Sequence, residues 1–283
     1  MTKATVHDQR VCLLGEGALW HPEREELLWF DILGRMLHAA DRSFRLPDLA
    51  SAAGWIDRDT VLMARKGGLW RFSLTDGAEE KVADLATDNP GLRSNDGRAD
   101  PWGGFWIGTM GLGAEKNAGA IWRYWQGRVH MVVPAVTIPN AICFSGAGYA
   151  CWADTPEQVV WRQPLSDADG FPVGEPSVHI DFRGTDLHPD GAVFDAAGNI
   201  WIAFWGAGKV AGFGPDGRQV AELAVPATQS TCPAFGGPDM QTLFVTSAAA
   251  GLSQEDLARA PDSGRTFAIE TDFRGLPEPR VTL

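Results

Sequence analysis

Four polar interruptions of otherwise apolar runs hold the side chains best suited to chemistry. They are Glu16 in Leu14-Gly15-Glu16-Gly17, Asn95 and Asp96 in Arg93-Ser94-Asn95-Asp96-Gly97, Asn140 after Ile138-Pro139, and Asp190 in Pro189-Asp190-Gly191. Taken singly, Asp96 and Asp190 read as turn residues, because Asn and Asp bond their own backbone and Gly accepts positive φ. A carboxylate between two glycines, as at Glu16, has little local backbone role, and Asn140 after Ile-Pro is equally hard to explain as a solvated turn. Two carboxylates and one amide, Glu16, Asp190 and Asn140, form an oxygen-only donor set. Such a set suits one hard divalent cation such as Ca²⁺, Mg²⁺ or Mn²⁺, with Zn²⁺ or Fe²⁺ also open. His188, two residues before Asp190, reads as a surface residue.

These residues lie far apart in the chain, so some architecture must gather them. Six short apolar β-type runs supply it: Leu28-Trp29-Phe30, Val61-Leu62-Met63-Ala64, Phe105-Trp106-Ile107-Gly108, Tyr149-Ala150-Cys151-Trp152, Ile200-Trp201-Ile202-Ala203 and Leu243-Phe244-Val245-Thr246. They recur at roughly 35 to 50 residues, the period of propeller blades. The expectation is an all-β, six-bladed β-propeller spanning residues 1–283 as one domain. Each polar interruption immediately precedes the inner strand of a different blade, which aims it at one end of the central channel. Residues Ala4 to Leu14 are candidates for an outer strand that closes the ring, and Gly251 to Ala260 holds the one plausible short helix.

Composition narrows the function classes. The chain has 283 residues, 45% of them hydrophobic, with 12 Trp to build a core and 33 Gly and 18 Pro that fall mostly between the runs. Its formal net charge is −12 and its basic residues are dispersed, so nucleic acid is not an expected partner. Cys12, Cys143, Cys151 and Cys232 show no metal-binding spacing and read as buried free thiols. The first residues contain no apolar leader and no run of 18 apolar residues exists, so the expectation is a cytoplasmic protein with no membrane partner. No GxSxG elbow, HExxH motif or P-loop is present.

At the same residues the chain resembles the SMP-30/regucalcin/gluconolactonase family of six-bladed propellers. The matching stretches are Leu14 to Trp20, Arg93 to Pro101, Gly108-Thr109-Met110, Asp190-Gly191, Trp201 with Gly206 to Val210, and Phe235 to Asp239 with Leu243 to Ser247. Gly251-Leu252-Ser253 is similar to bacterial sugar lactone lactonases, including those acting on xylonolactone. The resemblance implies that Glu16, Asn140 and Asp190 bind one divalent metal and that Arg93, Asn95 and Glu115 contact a sugar lactone. Two departures stand out: Ala18 where the family often has Pro, and Ala141 where Gly is usual.

The implied reaction is metal-dependent hydrolysis of an aldonolactone, such as glucono- or xylonolactone, to the aldonic acid, with Asp190 as ligand and general base. The expected partner is this small molecule alone, and the expected state is a monomer. Two rivals follow from the same residues: a divalent-metal-dependent esterase or organophosphate hydrolase, and a calcium-binding regulatory protein of the regucalcin type. The Arg93 and Asn95 pair favours catalysis, because ion binding alone has no use for it.

Overall fold

Six four-stranded antiparallel sheets stand around a central axis in the computed structural model, which describes residues 3–86 and 88–283. Their inner strands, in chain order, are Gly15–His21, Ala50–Asp57, Leu92–Ala99, Pro139–Ser145, His188–Phe194 and Gln229–Gly236. Neighbouring inner strands touch all the way round, so the ring is closed. The closure is made by the N-terminus. Strand Thr5–Asp8 adds antiparallel to Thr266–Glu270 as the outer strand of the last blade, pairing the two ends of the chain.

The apolar runs are continuous, not alternating, because each blade is covered on both faces. In the second strand of blade five, Ile200, Ile202 and Phe204 pack on blade four while Trp201 and Ala203 pack on blade six. The core is accordingly divided into six apolar clusters, one at each junction between blades. Trp29, Trp106 and Trp201 are fully buried at three of these junctions. The outermost strands, such as Gln219–Ala224, alternate between exposed and half-buried positions, as a sheet edge in water should.

All four cysteines are buried and free. Burial pushes the Cys12 thiol up to about 12, which suppresses the reactive thiolate. The short helix is Gln254–Arg259, inserted in blade six and opened by a capping box between Ser253 and Asp256. No helix among the described residues is long and apolar enough to cross a membrane.

The C-terminal segment, which offered no motif, spans one end of the axis. Ala196 N donates to Arg274 O (2.7 Å), Val281 N to Trp55 O (2.8 Å) and Thr282 N to Gly103 O (2.9 Å), so the segment crosses from blade five to blades two and three. Glu278 pairs there with the buried Arg98. Buried pairs of this kind hold geometry more surely than they add stability.

Candidate active site

The candidate residues lie inside the inner strands, not in turns before them. Glu16 and Asn140 are second in their strands, Asp190 is third and Asn95 is fourth. Asp96 and Asp190 are therefore not turn residues, contrary to what their tripeptides suggest singly. What redirects them is a bulge. Register shifts between Glu16 and Leu19, Ser94 and Gly97, Asn140 and Cys143, and Pro189 and Ala192, each at the site end of its strand. A bulge adds a residue to one strand and re-aims its side chains. The same Gly that signals a turn also serves a bulge, which is why the two readings are hard to separate in sequence.

Left-handed backbone marks two of the bulges, Gly17 at φ 58° and Ala141 at φ 54°. A side chain at Gly17 would also overlap Ser51 O, at 2.1 Å from the expected Cβ. Ala141 occupies the same conformation with a Cβ, a strain of roughly 1–2 kcal/mol.

Two aspartates that sequence patterns did not single out hold these strands in place. The Asp31 carboxylate accepts from the backbone N–H groups of Leu13 and Leu14, both at 3.0 Å, just before Glu16. The Asp154 carboxylate accepts from Thr137 and Ile138, both at 2.8 Å, just before Asn140. Each ends the apolar second strand of its blade, in Trp29-Phe30-Asp31 and Trp152-Ala153-Asp154. That recurrence was the available signal.

The result is one cavity of about 190 Å³, lined by Glu16, Arg93, Asn95, Asn140 and Asp190. Leu14, Met110, Ile138, Thr155 and Trp205 complete its wall. The four neutral or acidic site residues are only 4–7% exposed. Glu115 is not among the lining residues. It is exposed, and its Oε2 accepts from Gly113 N at 3.2 Å, folding back over its own loop. Gly111 permits that fold, because a Cβ there would lie 1.8 Å from the same oxygen. His188 is exposed and also outside the lining.

Charge in the cavity is unbalanced. Burial, and then the carboxylate of Asp96, push Glu16 up to about 8. Burial and the carboxylates of Glu16 and Asp96 hold Asp190 well above the ordinary carboxylate range. Asp96 is itself raised to about 6 by burial, against the pull of the Ile142 N–H that it accepts at 2.7 Å. Arg93 is the cation on the lining, and burial works against its charge.

Buried like charges of this kind are stabilised by a bound cation. Among the described residues no three His, Cys, Asp or Glu side chains stand together in ligating position. The donor set here is two carboxylates and the Asn140 amide oxygen, so its chemistry fits a hard divalent ion.

A larger cavity, about 290 Å³, lies at the other end of the inner strands against Arg98, Cys143, Phe194 and the C-terminal residues Leu276 to Pro279. Its ionisable pair, Arg98 with Glu278, is mutually neutralised. It lacks the facing carboxylates of the smaller cavity.

Residues 14–249 match the model of the SMP-30/Gluconolactonase/LRE-like region. The chain belongs to this family. Among curated relatives, a 6-deoxy-6-sulfogluconolactonase from Pseudomonas putida is 34% identical over 275 residues, covering 94% of each chain. An L-arabinolactonase from Azospirillum brasilense is 34% identical over 284 residues, covering 94% of this chain and 91% of its own. Among solved structures, a calcium-binding protein, regucalcin, from Agrobacterium tumefaciens str. C58 superposes with a TM-score of 0.96 at 39% identity. That match covers 100% of this chain and 98% of the other. The six-bladed propeller and the family membership are thus those expected from the motifs.

Proposed function

We propose that the chain is a sugar lactone hydrolase that opens an aldonolactone to its aldonic acid with the help of one divalent cation held by Glu16, Asn140 and Asp190. The observation that carries the reading is the convergence of these three with Arg93 and Asn95, from four blades, on one cavity. Relatives named for gluconolactone- and arabinolactone-type substrates support the class of reaction. The cavity, at about 190 Å³, is smaller than the roughly 300–1,000 Å³ of drug-sized ligand sites. That size favours a single sugar ring over an extended polymer.

A cation bound by the three oxygens would polarise the lactone carbonyl and stabilise the charge developing on its oxygen, an effect worth roughly several kcal/mol. Asp190 then serves as the base. Its carboxylate takes a proton from water as the water oxygen bonds to the carbonyl carbon. When the ring C–O bond of the tetrahedral adduct breaks, that proton is returned to the departing ring oxygen, which becomes a hydroxyl of the open acid.

Arg93 Nη1 already donates to Asn95 Oδ1 at 2.8 Å and to Ser94 O at 2.8 Å. The remaining guanidinium donors would orient ring hydroxyls so that one face of the carbonyl meets the attacking water. Leu14, Met110, Ile138 and Trp205 exclude bulk water and offer an apolar surface to the C–H face of the sugar. Glu115 would join them only after its loop turns its carboxylate inward.

The test is a pH-indicator assay over a panel of aldonolactones, run on chelator-stripped protein and after add-back of Ca²⁺, Mn²⁺, Zn²⁺ or Mg²⁺. Lactone opening that depends on add-back supports the reading. Faster turnover of paraoxon than of any aldonolactone would replace it with the esterase alternative, and cation binding without turnover of either would replace it with the regulatory one.

A further inference from the structure

Asn140 sits in a chain of hydrogen bonds whose direction is set at both ends. Arg93 Nη1 donates to Asn95 Oδ1 at 2.8 Å, and Asn95 Nδ2 donates to Asn140 Oδ1 at 2.9 Å. Asn140 Nδ2 donates to Thr155 Oγ1 at 2.8 Å, and the Thr155 hydroxyl donates to Pro189 O at 2.8 Å. A guanidinium can only donate and a proline carbonyl can only accept. Neither amide can therefore turn over without setting donor against donor or acceptor against acceptor. Amide orientation, which is otherwise ambiguous, is decided here by the polarity of the whole chain.

Thr155 is the link where that polarity is completed. Its hydroxyl must accept from an amide and donate to a carbonyl at once, which Ser can do and Val or Ala cannot. The residue is firmly placed. It opens the 3₁₀ turn Thr155–Glu157, with Pro156 following. Its own N–H donates to Ile138 O at 3.1 Å, and the preceding Asp154 clasps the strand that carries Asn140. The carbonyl it reaches, Pro189 O, belongs to the residue before Asp190.

We propose that Thr155 is a positioning residue for the cation site. It keeps the oxygen, not the nitrogen, of Asn140 directed at the cation and ties that amide to the backbone of the Asp190 ligand. This inference rests on the reading of Glu16, Asn140 and Asp190 as a cation site. Asn140 Oδ1 has two lone pairs and Asn95 uses one, so the other remains for a ligand. Without the Thr155 hydroxyl, only the Asn95 bond still orients the amide, its Nδ2 loses this acceptor and Pro189 O loses this donor.

The test is direct titration of chelator-stripped protein with Mn²⁺ and, separately, Ca²⁺ by calorimetry, on wild type, Thr155→Val and Thr155→Ser, with melting temperatures recorded alongside. Thr155→Ala serves in place of the valine variant if the added methyl prevents folding. Loss of an outer partner of a ligand typically weakens metal binding 10–100-fold. The expected result is that loss for Thr155→Val, with near wild-type affinity for Thr155→Ser.

The lactonase assay should show lowered kcat at saturating cation with a smaller change in KM. A folded Thr155→Val that binds both cations as wild type does, or a Thr155→Ser as weak as Thr155→Val, overturns the positioning role while leaving the cation site intact. Wild type that binds neither cation overturns the site itself, and this inference with it.

Discussion

Replacing Asp190 by Asn should stabilise the metal-free protein while destroying its activity, because the same buried charge does both. In the folded chain burial and the Asp96 carboxylate move Glu16 from an ordinary 4.5 to about 8, and burial with the Glu16 and Asp96 carboxylates holds Asp190 higher than is usual for its type. The folded state therefore retains protons that the unfolded chain has released across that window. Stability must fall as pH rises from the unfolded value through the folded one, which for Glu16 lies at about 8.

Two carboxylates in contact repel by about 4 kcal/mol at an effective dielectric near 20. Asp190→Asn removes that repulsion but leaves the cost of burying Glu16, so the expected gain is about 2–4 kcal/mol above pH 8 and little below pH 5. Melting temperatures in a chelator from pH 5 to 9 measure it, and the variant should show a flatter slope than wild type. Lactone opening with added cation should drop by about 10²–10⁴, as for loss of a general base. A variant that keeps its turnover, or that is less stable than wild type in chelator at pH 8.5, would refute the reasoning.

Other expectations are simpler. Ala141→Gly should stabilise the fold by about 0.5–1 kcal/mol, since relief of a left-handed Ala outweighs the added freedom of the unfolded chain; a lower melting temperature would contradict it. Asp154→Ala strands the Thr137 and Ile138 N–H groups, so a loss of about 3 kcal/mol in chemical denaturation is expected, together with weaker cation binding. Cation binding at pH 7 should release protons from the Glu16 and Asp190 pair, visible as a dependence of calorimetric enthalpy on the ionisation enthalpy of the buffer. A binding enthalpy independent of buffer would mean that both carboxylates are already ionised.

Much of the architecture is written locally. Apolar runs such as Ile200 to Phe204 and Leu27 to Phe30 announce strands buried on both faces, and their spacing announces blades. Glu16 and Asn140 were legible as candidates because neither has a reason to stand in a turn, and both line the cavity. Asp31, Asp154 and Thr155 were not. Their importance lies in reaching a neighbouring strand's N–H, amide or carbonyl, and although an aspartate recurs at the end of two apolar runs, that position does not name the group it will meet. The C-terminal segment was silent for the same reason, since its carbonyl and N–H partners at Trp55, Gly103 and Ala196 are tens to hundreds of residues away.

Residue type and order thus determined the strands, the blade count and which oxygens were available as donors, because these depend on burial preference and short-range backbone chemistry. Only the closed ring decided that Asn95 faces Asn140, that Glu115 turns away, and that Glu16 and Asp190 press their charges together. Those outcomes depend on bulges and on contacts between blades, and no local pattern encodes the distance between two strands that meet only when the wheel is shut.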